Sequence, residues 1–379
     1  MNVPFLDLGA QDAAIGAEVR AAIDEVLASR RFILGPHLER FEAAMAAYCG
    51  VRHAIGVGSG TDALVLALSA LDVGPGTAVV TSPFSFFASA STIVRLGARP
   101  VFADIDPGTL NLDVAAVADA IERGRGAVRG IVPVHLFGRL APMDEIAALA
   151  ARHGLWVVED AAQAVGARAG GTRAGAFGRA GCLSFYPTKN LGALGDGGMV
   201  LTSDDALAAR VREERHQGQP AAYVHASIGL CSRLDAIQAA ALHAKLAHLD
   251  DWNARRRAVA ARYDALFRAH GLADRPGAPL ALPAPAGAAH VYHQYVVRAR
   301  DRDALRAHLG AAGVGSMVYY PMPLHRQPAL AILGLADGAF PEAERAAAEV
   351  LALPIYPELT PAQTEHVVST VAAFYRAGR

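Results

Sequence analysis

The chain has 379 residues, and its 35 Lys+Arg against 36 Asp+Glu leave a formal net charge of −1. Hydrophobic residues make up 53% and charged residues 19%, which excludes a disordered chain, and the near-neutral balance excludes a general nucleic-acid binder. No apolar run reaches the roughly 18 residues of a membrane span, and the opening MNVPFLDLGAQDAA carries no basic segment ahead of an apolar one, so neither a membrane segment nor a signal peptide is expected.

Apolar positions at three- and four-residue spacing predict helices over residues 17–30 and 37–48, separated by Gly35-Pro36 as a breaker and an N1 proline. From residue 53 strands and helices alternate. Strands are expected at 53–58, 77–82, 99–105, 129–137 and 155–160, and helices at 61–71, 85–95, 113–122 and 143–154. Such alternation predicts a mostly parallel α/β sheet between helices. Residues 182–186 and 198–203 read as two further strands around a loop, and 234–270 as one long helical stretch. The Pro/Gly/Ala-rich segment 276–287 reads as a linker. Beyond it, strands at 291–299 and 314–320 and helices at 302–311, 341–350 and 361–376 make a small α+β domain. We divide the chain into a large domain, residues 1–250, and a small one, residues 251–379.

Cys49, Cys182 and Cys231 are odd in number and widely spaced. They form no disulfide framework and no zinc or iron–sulfur pattern, and a reducing cytoplasm is the simplest location. Only two of the basic residues are lysines, Lys189 and Lys245. A lysine retained in so arginine-rich a chain draws attention, because lysine can lose its proton and act as a nucleophile whereas arginine cannot.

Ligands of open parallel sheets bind beyond the carboxyl ends of the strands. Ser59-Gly60-Thr61 follows one strand and opens a helix, which suits either a phosphate or an ordinary N-cap. Phe84, Phe86 and Phe87 follow another and suit either a flat ligand or the core. Asp160 ends an apolar strand, with Gln163 three residues on; a carboxylate there needs a partner. Lys189 sits in SFYPTKNLGALGDGG among Gly192, Gly195, Gly197 and Gly198, where glycine allows close approach of a ligand. Lys245, in LHAKLAHL, reads as a snorkelling or solvated surface residue. Arg255-Arg256-Arg257 reads as a solvated helical face. Taken together, an amine, a buried carboxylate, a phosphate seat and a stacking aromatic fit pyridoxal 5′-phosphate.

The segments GSGTDAL (58–64), SPFSFFAS (82–89), VEDAAQAVGA (158–167), SFYPTKNLGALGDGG (184–198), SRLDAIQAA (232–240), YYPMPLHRQPA (319–329) and LPIYPEL (353–359) resemble those of the DegT/DnrJ/EryC1/StrS sugar aminotransferases. The similarity covers nearly the whole chain and is strongest to the branch acting on 3-keto nucleotide sugars. It implies the aspartate-aminotransferase fold type I, with a mostly parallel seven-stranded sheet and a small C-terminal α+β domain. It also implies a cytoplasmic homodimer with active sites at the subunit interface, and amino transfer from L-glutamate to a nucleotide-linked keto hexose, most simply at C3 of a dTDP- or UDP-sugar.

Residue by residue, the resemblance makes Lys189 the Schiff-base lysine and proton shuttle, Asp160 the pyridinium partner and Gln163 the contact to the cofactor's phenolic oxygen. Phe86 matches the stacking aromatic, and Gly60, Thr61 and Ser184 match phosphate contacts. Asn190 is expected to shape the loop. His325, Tyr319 and His293 stand as substrate-site candidates. Cys231 occupies the position where relatives carry an Asn that reaches the partner's phosphate; a thiol is a weak donor there, and Ser232 or a water is a candidate substitute. Alternatives are a 4-keto nucleotide-sugar or aminocyclitol aminotransferase, a keto-sugar dehydratase on the same fold, and a non-catalytic cofactor-binding regulator.

Overall fold

A computed structural model describes residues 1–124 and 126–377 of the chain. The first helix, α1 (Leu8–Ser29), starts earlier than its apolar spacing predicts because Asp7 caps it, its carboxylate accepting from the Ala10 N–H at 3.1 Å. Helix α2 (Pro36–Cys49) begins at the proline, with Gly35 at φ +82° before it. The alternating region follows as β1 (His53–Val57), α3 (Gly60–Ser69), β2 (Ala78–Thr81), α4 (Ala88–Arg95), β3 (Arg99–Phe102), α5 (Val114–Arg123), β4 (Val128–Val132), α6 (Met143–Arg152) and β5 (Trp156–Asp160). A two-residue hairpin, β6 (Arg168–Ala169) and β7 (Thr172–Arg173), precedes β8 (Ala180–Ser184) and β9 (Gly198–Thr202).

Helix α7 (Asp205–Glu214) was not anticipated. Its signal is an Asp204 cap on the Leu207 N–H at 3.0 Å and the buried row Leu207, Ala208 and Val211. The long helical stretch is two helices, α8 (Ala236–Leu246) and α9 (Leu249–Ala269), which break at Ala247-His248.

The large sheet has the order β1-β9-β8-β5-β4-β2-β3. Strand β9 runs antiparallel to both neighbours, and the pairs from β8 to β3 are parallel. Side chains alternate between its faces. Ile55, Val57, Val79, Val158, Cys182 and Val200 lie under α3, α4 and α7. Ala54, Leu183, Met199 and Leu201 face α2 and α8, and Val80, Ile131 and Val157 face α5 and α6. This alternation decides the fate of two adjacent carboxylates at the end of β5. Glu159 points to the second face, where it is fully buried and takes the His135 Nε2 at 2.8 Å and the N–H groups of Gly175, Phe177 and Gly178 at 2.7 Å each. Asp160 points to the α3–α4 face. A one-residue slip of β5 would exchange them.

The second sheet is antiparallel, β10-β11-β12, from β10 (Leu280–Ala281), β11 (Tyr295–Ala299) and β12 (Val350–Leu353). The two-residue strand β10 lies inside the expected linker. Helices α10 (Arg302–Ala311), α11 (Pro341–Glu349) and α12 (Pro361–Ala377) complete this part. Tyr263, Phe267, Tyr295, Val297, Leu351 and Leu353 form its core. Val3, assigned by sequence to the large domain, packs into that core, its N–H donating to Gly313 O at 2.9 Å.

The strand expected at 314–320 is reduced to isolated bridges, Val3 with Val314 and Met317 with Ala352, because Val318, Tyr319 and Tyr320 line a cavity instead of pairing. Arg256 corrects the reading of a solvated basic face. It is buried, donates to Ile355 O at 2.9 Å, and burial draws its guanidinium down to about 10. Its neighbour Arg255 stays at the surface, paired with Asp251. Among the described residues no helix is long and apolar enough to cross a membrane.

Candidate active site

The carboxyl ends of β1, β5 and β8 open into a cavity of about 620 Å³. Gly60, Thr61, Phe86, Asp160, Gln163, Ser184, Lys189, His293 and Tyr319, all singled out from the sequence, line it. Cys231 and His325 do not.

One wall is the start of α3. The Ser59 hydroxyl caps it, accepting from the Asp62 N–H at 3.1 Å, and the first-turn N–H groups of a helix lack intrahelical partners. A Cβ added to Gly60 would lie 2.7 Å from the Ser184 Cβ, so a larger residue would force the wall apart. Beneath it, Ser232 is buried, accepts from the Gly58 N–H at 3.0 Å and donates to Asp62 Oδ2 at 2.8 Å. Its hydroxyl therefore braces its own chain's helix start. Cys231, next to it, is exposed and bridges His216 through the backbone.

Asp160 forms the floor. It is buried, and its Oδ2 accepts from the Ser89 hydroxyl at 2.7 Å; Ser89 in turn lies 2.9 Å from Ser85 Oγ. Desolvation raises its pKa, opposed by the Ser89 hydrogen bond and by the charges of Lys189 and His135. The sequence signal for Ser89 is its spacing from Ser85 within the apolar run SPFSFFAS.

Gln163 is oriented by a backbone donor. Its Oε1 accepts from the Phe137 N–H at 2.6 Å, which leaves Nε2 as the donor, and Nε2 gives a hydrogen bond to the Tyr320 hydroxyl at 3.1 Å. The sequence points to Tyr319, but its neighbour Tyr320 also lines the cavity and takes the Gln163 amide. Burial pushes its phenol up, and its ring lies 6.4 Å from that of Phe86.

Lys189 enters from the loop between β8 and β9. Burial lowers its ammonium from 10.5 to about 8, against the opposing charge of Asp160. Asn190 turns away from the cavity and fixes the loop, donating to Asn253 Oδ1 at 2.7 Å and Val291 O at 3.1 Å. Its own Oδ1 lies 3.2 Å from His293 Nδ1. Burial, followed by the charges of Lys189 and Arg256, holds His293 well below the ordinary histidine value, so it is neutral at physiological pH. On the same side, Gln294 buries an Oε1 with no hydrogen-bond partner among the described residues.

His325, expected against substrate, is instead buried beside α11. Its Nε2 lies 3.0 Å from Glu344 Oε1 and its ring 4.8 Å from that of Phe340. The short turn Leu324–Arg326 turns the imidazole into the core.

These residues fit pyridoxal phosphate. The absence of a side chain at Gly60 lets the helix start lie close against Ser184, with both at the cavity. The cavity also holds an amine with a depressed pKa beside a carboxylate whose burial is costly until a cation joins it.

Known proteins are similar along the whole chain. A model of the DegT/DnrJ/EryC1/StrS aminotransferase family matches residues 13–372. A "pleiotropic regulatory protein" of Geobacillus stearothermophilus is 49% identical over 99% of both chains. A dTDP-3-amino-3,4,6-trideoxy-alpha-D-glucose transaminase of Streptomyces venezuelae is 47% identical, covering 98% of this chain and 95% of its own. The X-ray crystal structure of S. venezuelae DesV in complex with a ketimine intermediate superposes with a TM-score of 0.93 at 45% identity, covering 98% of each chain. With sheet, cavity and sequence in agreement, the chain belongs to the DegT/DnrJ/EryC1/StrS family of pyridoxal-phosphate-dependent aminotransferases.

Proposed function

We propose that this aminotransferase moves the amino group of L-glutamate onto C3 of a keto hexose linked to dTDP or UDP. The observation that carries the chemistry is the meeting of Lys189, Asp160 and Gln163 in one cavity. The 3-amino assignment rests on the similarity to the S. venezuelae dTDP-sugar transaminase.

Bound in the cavity, pyridoxal phosphate supplies a carbonyl that takes up amines and a ring that accepts electrons. Gly60, Thr61 and Ser184 hold its phosphate at the α3 terminus. Asp160 would hold its ring nitrogen, whose positive charge would offset the cost of burying the carboxylate. Gln163, with its carbonyl already engaged by Phe137, would offer an amide N–H to the phenolic oxygen, and Phe86 would cover the ring. Lys189 Nζ would hold the cofactor's carbonyl carbon and would serve as the base for the proton on the donor's α-carbon. An amine with a pKa of about 8 is neutral in a useful fraction of molecules near neutral pH, whereas an ordinary lysine is almost wholly protonated. His293 and Tyr319, which line the same cavity, would contact the sugar substrate.

Incubation of purified enzyme and glutamate with 3-keto and 4-keto nucleotide sugars tests this reading. The expected result is conversion of the 3-keto substrate with ping-pong kinetics. Conversion of only the 4-keto sugar or of an aminocyclitol ketone would overturn the 3-amino assignment. No turnover with any of them, with cofactor bound, would favour the regulator that the Geobacillus relative's name describes.

The same reading includes a homodimer. Phe86 and Tyr186 at the cavity are 57% and 53% exposed, and Tyr223 and Ile228 in the segment before Cys231 are 94% and 98% exposed. Large apolar groups this bare call for a covering surface, which a second copy would supply. Sedimentation equilibrium is expected to give twice the chain mass; a monomer at micromolar concentration would refute the dimer. All three cysteines are free thiols, in keeping with a cytoplasmic location.

A further inference from the structure

The second of the chain's two lysines is also tied to the active-site loop. Lys245 is only 6% exposed, and its Nζ donates to Gly192 O at 2.7 Å, three residues beyond Lys189. This overturns its reading as a solvated residue. Burial lowers its ammonium below the ordinary lysine value, against the charge of Asp12 on α1, so the site holds a partly desolvated donor on one carbonyl.

The receiving segment is tightly folded. The Lys189 N–H bonds Tyr186 O at 2.8 Å, and the Ala193 N–H bonds Phe185 O at 2.8 Å. A Cβ on Gly192 would strike the Pro187 carbonyl oxygen at 2.2 Å, so the chain after Lys189 curls back onto the chain before it. The outer side of this curl is held by one helix. Gln238, two turns before Lys245 on α8, accepts the Leu194 N–H at 2.7 Å. The segment leading into α8 carries Ser232, which braces the start of α3. Helix α8 and the segment leading into it therefore tie the lysine loop to the helix start across the cavity.

We propose that Lys245 is a positioning residue for Lys189: its ammonium clamps the Gly192 carbonyl and thereby sets where the Lys189 amine stands relative to the cofactor. The proposal rests on Lys189 being the cofactor-binding lysine. The effect is one of geometry, transmitted through the three residues of loop from Lys189 to Gly192.

The test compares wild type with Lys245→Met, which keeps the length and removes the donor, and Lys245→Arg, which restores donors. Borohydride reduction and peptide mapping of wild-type holoenzyme come first; failure to label Lys189 refutes the underlying reading and not the clamp alone. With Lys189 labelled, folded Lys245→Met is expected to bind pyridoxal phosphate about tenfold or more weakly. The pH midpoint of its visible cofactor band should shift, and kcat should fall while KM for the keto sugar stays near wild type. Lys245→Arg is expected to recover part of each loss. A purely structural role would lower thermal stability and leave the spectral midpoint and the affinity of the folded enzyme unchanged; that result overturns the proposal. Should Lys245→Met fail to fold, Lys245→Gln, whose polar end eases burial but lacks the ammonium's reach, takes its place with the same expected and refuting results.

Discussion

Lys189→Ala is expected to lower transamination by about 10⁴-fold or more, because one side chain supplies both the covalent anchor and the proton carrier. The variant should still fold, since Lys189 sits at the wall of a cavity and the loop around it is held by Asn190, Gln238 and Lys245. Wild-type turnover in a folded Lys189→Ala enzyme would remove the residue from the chemistry. The same side chain carries a pH signature in the cofactor-free protein. Its pKa falls from 10.5 to about 8 on folding, so the unfolded chain binds more protons between those values. The cost of burying the ammonium is therefore fully present below about pH 8 and is relieved as pH rises toward about 10.5. Melting temperatures of apo wild type should climb across that window relative to Lys189→Met. A gap between the two proteins that stays constant from pH 7 to 11 would show that burial is not what depresses the amine.

Asp160→Asn is expected to act in opposite directions on activity and on stability. Turnover should fall by about 10²–10⁴-fold, the size of effect seen when one member of a buried charge pair is removed. Asparagine can still accept from Ser89 but gives the cofactor's ring nitrogen no negative partner. The apo protein, however, should melt at or above the wild-type temperature. Desolvation raises the pKa of this carboxylate on folding. Such a group favours the folded state only at acidic pH and opposes it once ionised, so at neutral pH the substitution removes a cost. Paired melting curves with and without pyridoxal phosphate test this. A variant destabilised to the same extent with and without the cofactor would mean that Asp160 serves the fold and not the ligand.

The sequence by itself determined the alternating architecture and most of the cavity wall. Strand–helix alternation, the Gly35-Pro36 break and the glycine-rich loop are local signals, written in periodicity and in residues with special backbone freedom. Lys189 stood out because lysine is so rare in the chain, and Asp160 because a carboxylate at an apolar strand end needs a partner. The similarity of ordered motifs then joined groups that lie more than a hundred residues apart.

What tertiary structure decided is which polar side chains turn inward. Lys245 and Arg256 both lie on helical faces that read as solvated, yet each reaches a buried carbonyl supplied by a distant segment, and helical spacing cannot reveal that neighbour. His325 is spent on Glu344, nineteen residues away, while Tyr320 faces the cavity and the Gln163 amide. The chain at 314–320 has strand-like residues but finds little edge to pair with, so it lines the cavity instead. In each case the local preference is worth a fraction of a kcal/mol to about 1 kcal/mol. Leaving a buried polar group unpaired costs about 1–3 kcal/mol, so the contact made across the fold overrides the preference written along the chain.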